Sequence, residues 1–102
     1  MNEVDSKLLD DVKNYLDITW ADDATDKKIC GMIFRGMKYL NDLTGCTLDY
    51  EIEDAPRELL FIRVMYERAG ALDDFRKNYL NELNGLVTNE RVKRYDTEQQ
   101  ND

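Results

Sequence analysis

Apolar side chains recur every three to four positions through most of the chain, and only one proline and five glycines interrupt them. That period is the pitch of an α-helix with one buried face, so it argues against any fold built from many short strands. Leu8, Leu9, Val12, Tyr15 and Leu16 form one stripe, which predicts a first helix from about Ser6 to Asp17 with Ser6 as its N-cap. A second stripe of Ile29, Ile33, Met37 and Leu40, widened by Met32, Gly36 and Leu43, predicts a long helix from Asp23 to Leu43 or Thr44. Gly45 ends it in the left-handed cap position. Asp22, Asp23 and Asp26 sit where acids suit the positive end of that helix.

Cys46 to Asp54 alternates instead, with Leu48, Tyr50 and Ile52 set against Asp49, Glu51 and Glu53. Strict alternation predicts a short extended segment with one face on the core. Pro56 then opens a third helix, Ala55 to Ala69, whose run of Leu59, Leu60, Phe61, Ile62, Val64, Met65 and Tyr66 predicts burial on several sides. Leu72, Phe75, Tyr79, Leu83 and Leu86 predict a fourth helix. After Val87 the pattern stops and the composition turns polar. The expected fold is all-α: a compact four-helix bundle with one long helix, an extended segment between helices 2 and 3, and a polar C-terminal tail. Residues 1–87 form the helical domain and 88–102 a flexible tail. A chain of 102 residues has room for one core.

Catalysis requires a positioned base, nucleophile or metal. Histidine is absent and Ser6 is the one serine, which removes Ser-His and Cys-His chemistry. Cys30 and Cys46 are read as small hydrophobes in a reduced cell, since two thiols without His make a poor zinc site. The acidic clusters lack the glycine and spacing of a calcium loop. No enzyme activity, cofactor or metal is expected. Gly31 and Gly36 lie inside the second helix, where they favour close helix approach or an oligomer contact. Arg63 interrupts the most apolar helix, either as a snorkelling side chain or as one half of an ion pair across a subunit boundary.

The charge balance, 22 acids against 14 bases for a net −8, opposes tight binding to DNA phosphates. It suits plain solubility, a channel that DNA slides through, or imitation of DNA. The opening stretch lacks the basic flank and apolar run of a signal peptide, and no segment approaches the about 20 apolar residues of a membrane span. Synthesis in a cytosol without membrane contact is therefore expected. Candidate contact residues for itself or a partner are Asp49, Glu51, Glu53, Arg63, Arg68, Arg91, Lys93, Arg94 and Tyr95.

Residues 8–45, LLDDVKNYLDITWADDATDKKICGMIFRGMKYLNDLTG, resemble the opening of the small head–tail connector (adaptor, or head-completion) proteins of tailed bacteriophages. The shared pattern is a short helix ending V-K-x-Y-L-x-I, a Trp with an acidic turn, and a long helix closing on Y-L-N-x-x-T-G. Residues 59–86 resemble the family's second half, where an aromatic-rich helix runs into A-L-x-D-F and a final amphipathic helix. The resemblance implies a virion protein of the neck, made in the bacterial host cytoplasm. It implies a ring of about a dozen copies beneath the portal protein that extends the DNA channel without specific DNA binding. A tail or stopper protein would dock on that ring, and residues 88–102 would be available to grip the portal. The readings of another class are an acidic DNA-mimic inhibitor and a generic helical protein–protein adaptor.

Overall fold

The computed structural model describes residues 4–100, with side chains described for residues 4–95. Among the described residues there are five helices and no strand. They are α1 (Ser6–Tyr15), α2 (Asp23–Thr44), α3 (Ala55–Arg68), α4 (Leu72–Asn78) and α5 (Leu80–Gln100). The 22 residues of α2 span about 33 Å. This helix packs against α1, α3 and α5, while α3 also carries α4 and α5. Ile33, Leu40, Leu60 and Val64 are fully hidden in the α2–α3 seam, and Val12 of α1 and Phe75 of α4 close the core around it. Each such side chain contributes about 1.5–3 kcal/mol relative to exposure.

The helix ends follow local chemistry. Asp5, rather than the expected Ser6, caps α1, its carboxylate accepting from Lys7 N at 3.5 Å. Both residue types are good N-caps, and sequence alone does not say which one keeps extended backbone angles. Asp22 caps α2, accepting from Thr25 N at 3.1 Å and from the Thr25 hydroxyl at 2.7 Å. Those bonds, the hydroxyl first, hold the Asp22 carboxyl below the usual carboxylate range. Asp54 caps α3, with Pro56 in its first turn.

Two of the helix ends share one closing device. After α1, Ile18 N donates to Lys13 O (2.9 Å) and Asp17 N to Asn14 O (3.1 Å); after α3, Ala71 N donates to Tyr66 O (2.8 Å) and Gly70 N to Glu67 O (3.0 Å). This paired arrangement requires a left-handed residue, Gly70 at φ 70° in one case and Asp17 at φ 61° in the other. The α2 end is similar, with Gly45 at φ 75°.

Four expectations change. Leu72 to Leu86 is two helices, interrupted at Tyr79 (φ −117°, ψ 20°). Tyr79 stacks on Phe75 at 5.6 Å and meets Tyr66 edge-on at 5.9 Å, so the kink coincides with an aromatic corner that fixes this side chain. The last helix does not end at Val87 but continues to Gln100. Glu, Arg, Lys and Gln are good helix formers, and the Glu90–Lys93 pair at 3.1 Å supports the turn without core burial. Asn101 and Asp102 of the expected tail lie outside the described residues. The third helix is buried on one side only; Phe61 and Ile62 are half-buried and Met65 is exposed. Finally, Leu48 and Tyr50 turn inward as alternation predicts, but Ile52 is 53% exposed and the segment forms no strand.

Gly36 leaves no room for a side chain in the α2–α3 seam: a Cβ there would meet Leu60 Cδ1 at 2.6 Å. Gly31 has no such role, its position facing only Arg35 of the same helix. A Cβ at Gly85, in α5, would enter open space. Gly85→Ala is therefore expected to raise stability by about 0.8–1 kcal/mol through helix propensity alone. Gly36→Ala should lower it by about 1 kcal/mol, overpacking outweighing the same propensity gain. Urea unfolding of the two variants checks the opposite signs.

Candidate protein-binding surface

Helices α1 and α3 both pack on α2 rather than tightly on each other, which leaves a shallow groove between them. Side chains bridge its floor as a ladder. The Arg57 guanidinium lies over the Phe61 ring at 4.7 Å, Phe61 meets Tyr15 edge-on at 5.6 Å, and the Tyr15 hydroxyl points at Met65 Sδ at 3.9 Å. The 3.6-residue period places Glu58, Phe61, Ile62, Met65 and Arg68 along the same outer side of α3. Glu53, Asp54 and Glu58 rim the groove at the start of α3, and Arg68 and Asp17 line its other end. From Asp54 to Ala69 this stripe runs about 22 Å. Tyr15 is 43% exposed and Met65 38%, high values for side chains so well placed to be covered.

Two polar residues that the sequence did not single out hold this face in place. Arg57, its side chain only 12% exposed, donates to Asp11 of α1 at 2.8 Å and to Tyr50 O at 3.1 Å, and lies 3.4 Å from Glu53. The Arg57 bond, helped by Lys7, holds the Asp11 carboxyl below its usual range. Asn41 is the second. Its side-chain oxygen accepts from Leu48 N (3.1 Å) and from the Tyr50 hydroxyl (2.7 Å), while its backbone carbonyl accepts from Gly45 N and Cys46 N. The segment after α2 is thus tied back to the helix it has just left. Burial, with Cys46 nearby, pushes the Tyr50 phenol well above the ordinary tyrosine range. Only Asn41 carried a sequence signal, as the Asn of the Y-L-N-x-x-T-G ending.

The candidate contact residues scatter. Asp49 turns on itself, accepting from Glu51 N at 2.9 Å; Glu51 and Glu53 are exposed beside it. Arg68 lies at the far end of the groove. Arg63 is neither free nor snorkelling: it pairs with Glu67 at 3.1 Å and stacks over Tyr39 at 4.9 Å. Glu67 also accepts from Arg35 Nε at 2.9 Å, so one acid joins α2 to α3 between two bases. Arg91, Lys93, Arg94 and Tyr95 are exposed on α5, away from the Asp49–Glu53 set in sequence and element. Lys93 pairs with Glu90.

Asp26 faces Lys13 at 2.8 Å, linking α2 to α1. Among the described residues no group of three or more His, Cys, Asp or Glu is placed to hold a metal ion. None of the described helices is long and apolar enough to cross a membrane. Burial raises the Cys30 thiol, while the Cys46 thiol points at Thr44 Oγ1 (3.4 Å) and Glu90 Oε1 (3.7 Å). An apolar floor flanked by fixed charges has the chemistry of contact. Comparison with protein-family models, with curated protein sequences and with solved structures finds no match.

Two consequences are measurable. Arg57→Ala should cost about 2 kcal/mol in urea unfolding, because it removes one of the two cations on Asp11, takes the donor from the Tyr50 carbonyl and uncovers Phe61. The Tyr50 phenol ionises near pH 10 once unfolded but keeps its proton to higher pH in the fold. Its contribution is therefore complete below about pH 10 and declines above it. Tyr50→Phe should lower stability by about 1 kcal/mol at neutral pH and flatten the alkaline decline, as read by thermal melts between pH 7 and 11.

Proposed function

We propose that this chain is a structural, non-enzymatic subunit of a tailed-phage neck, a head–tail connector. It assembles as a ring beneath the portal, extends the DNA channel and offers a platform to the tail or a stopper protein. One observation carries the reading: the order of elements follows the pattern on which the resemblance rests. Residues 8–45 run from the second turn of α1 through the Trp20–Asp22 turn and along α2 to its Gly45 stop. Residues 59–86 run through most of α3, the Gly70 junction, α4 and the packed start of α5.

Charge adds support. The net −8 favours a surface that DNA phosphates slide past without being held. The open α1–α3 groove and the exposed Arg91–Tyr95 stretch of α5 supply two accessible surfaces, as a subunit of an assembly requires.

An amber mutation of the gene in its parent phage tests the proposal. The expected result is DNA-filled heads and separate tails that fail to join, restored by supplying the protein in trans. Fully tailed, infectious particles from the mutant would overturn it.

A further inference from the structure

We infer that the α1–α3 groove receives the exposed end of α5 from a second copy of this chain, a head-to-tail contact. The occupant follows from the pattern of charge and apolarity on both surfaces. Read along α3, the groove presents an acidic rim (Glu53, Asp54, Glu58), then an apolar floor (Phe61, Met65 and Tyr15 of α1), then Arg68 beside Asp17. Read along α5, the outer side presents a base (Arg91), then two exposed apolar residues, Val92 (52% exposed) and Tyr95 (61%). Laid parallel to α3, this side brings Arg91 to the acidic rim and Val92 and Tyr95 over the apolar floor.

Arg91, Val92 and Tyr95 occupy one side of α5, at i, i+1 and i+4. The opposite side is already committed. Leu83 and Leu86 are buried in the core, Cys46 Sγ lies 3.7 Å from Glu90, and a Cβ at Gly45 would meet Arg94 Nη1 at 3.4 Å. These contacts fix α5 beside the end of α2, so a chain's own Arg91–Tyr95 segment is engaged away from its own groove. Lengths agree as well: the about 22 Å groove accommodates the about 15 Å of helix from Arg91 to Gln100. A contact between two different surfaces leaves one groove and one α5 end open on every pair, so it propagates until a ring closes or a filament grows. The inference identifies the surfaces by which copies meet; it stands on this geometry and would hold for an assembling chain outside a phage neck too.

Sedimentation velocity of the full-length protein tests it. The wild type is expected to self-associate as concentration rises, more weakly at high salt. Arg91→Glu with Tyr95→Ala, which removes the inserting side, should weaken association at least tenfold. Glu53→Lys with Glu58→Lys, which reverses the receiving rim, should do the same; circular dichroism confirms that each variant is folded. Mixed, the two defective chains should form a one-to-one pair and nothing larger, because one keeps an intact groove and the other an intact α5 end. A wild type that stays monomeric to on the order of 1 mM overturns the inference. So does association that survives either variant, or a mixture that fails to pair. Loss of tail joining in the amber mutant reports separately on where the protein works.

Discussion

At Gly36 the α2–α3 seam has no room for a methyl group, because Leu60 Cδ1 of α3 lies 2.6 Å from the place a Cβ would take. The same seam hides Ile33 and Leu40 from one side and Leu60 and Val64 from the other. At its rim Glu67 accepts from Arg35 across the two helices and pairs with Arg63 one turn away in α3, adding a charged clasp to an apolar seam. Groups of this kind fix geometry more than they add stability, since the desolvation of each charge offsets much of its attraction.

Around that seam the chain uses polar anchors where other small proteins use disulfides. Asn41 gathers the segment between α2 and α3, and Arg57 gathers α1, that loop and the Phe61 ring. Both operate at partial burial, where a bond to water is a poor substitute and a lost partner costs about 1–3 kcal/mol. The result is a rigid α1–α3 face whose apolar rungs stay open, because the helices flanking it are spaced by α2 and not by each other.

Most of the helical plan was legible in the residues. The stripes of α1, α2 and α3 follow the 3.6 period, and Gly45, Pro56 and Asp22 announce helix ends through backbone and capping rules that act over four residues. What escaped were features decided at longer range. Tyr79 keeps its i, i+4 place in the apolar stripe, so nothing local reveals that stacking on Phe75 and Tyr66 breaks the helix there. The polar run after Val87 has no core stripe to follow, and its helix rests on propensity and on pairing such as that of Glu90 with Lys93. Arg57 looked like any first-turn base, since its partner Asp11 lies 46 positions away. Arg63 has its partner only four residues on, in Glu67, a pairing within the helix that the subunit-boundary reading passed over. Of the candidate contact residues, Arg68 falls in the groove with Glu53 at its rim, while the α5 set lies elsewhere on the molecule; sequence can nominate exposed charge but not say which charges share a surface.

The interruption at Tyr79 has a mechanical side. The 21 residues of α5 form a rod roughly 30 Å long, seated over its first half and exposed from Arg91 to Tyr95, with the interruption at one end. A turn of only about 10° there would sweep the far tip through about 5 Å, more than a hydrogen bond's reach. Where such a rod points is consequently sensitive to the three aromatic rings at its base as well as to its seat beside α2, so a change buried deep in the α3–α4 corner is magnified along its length.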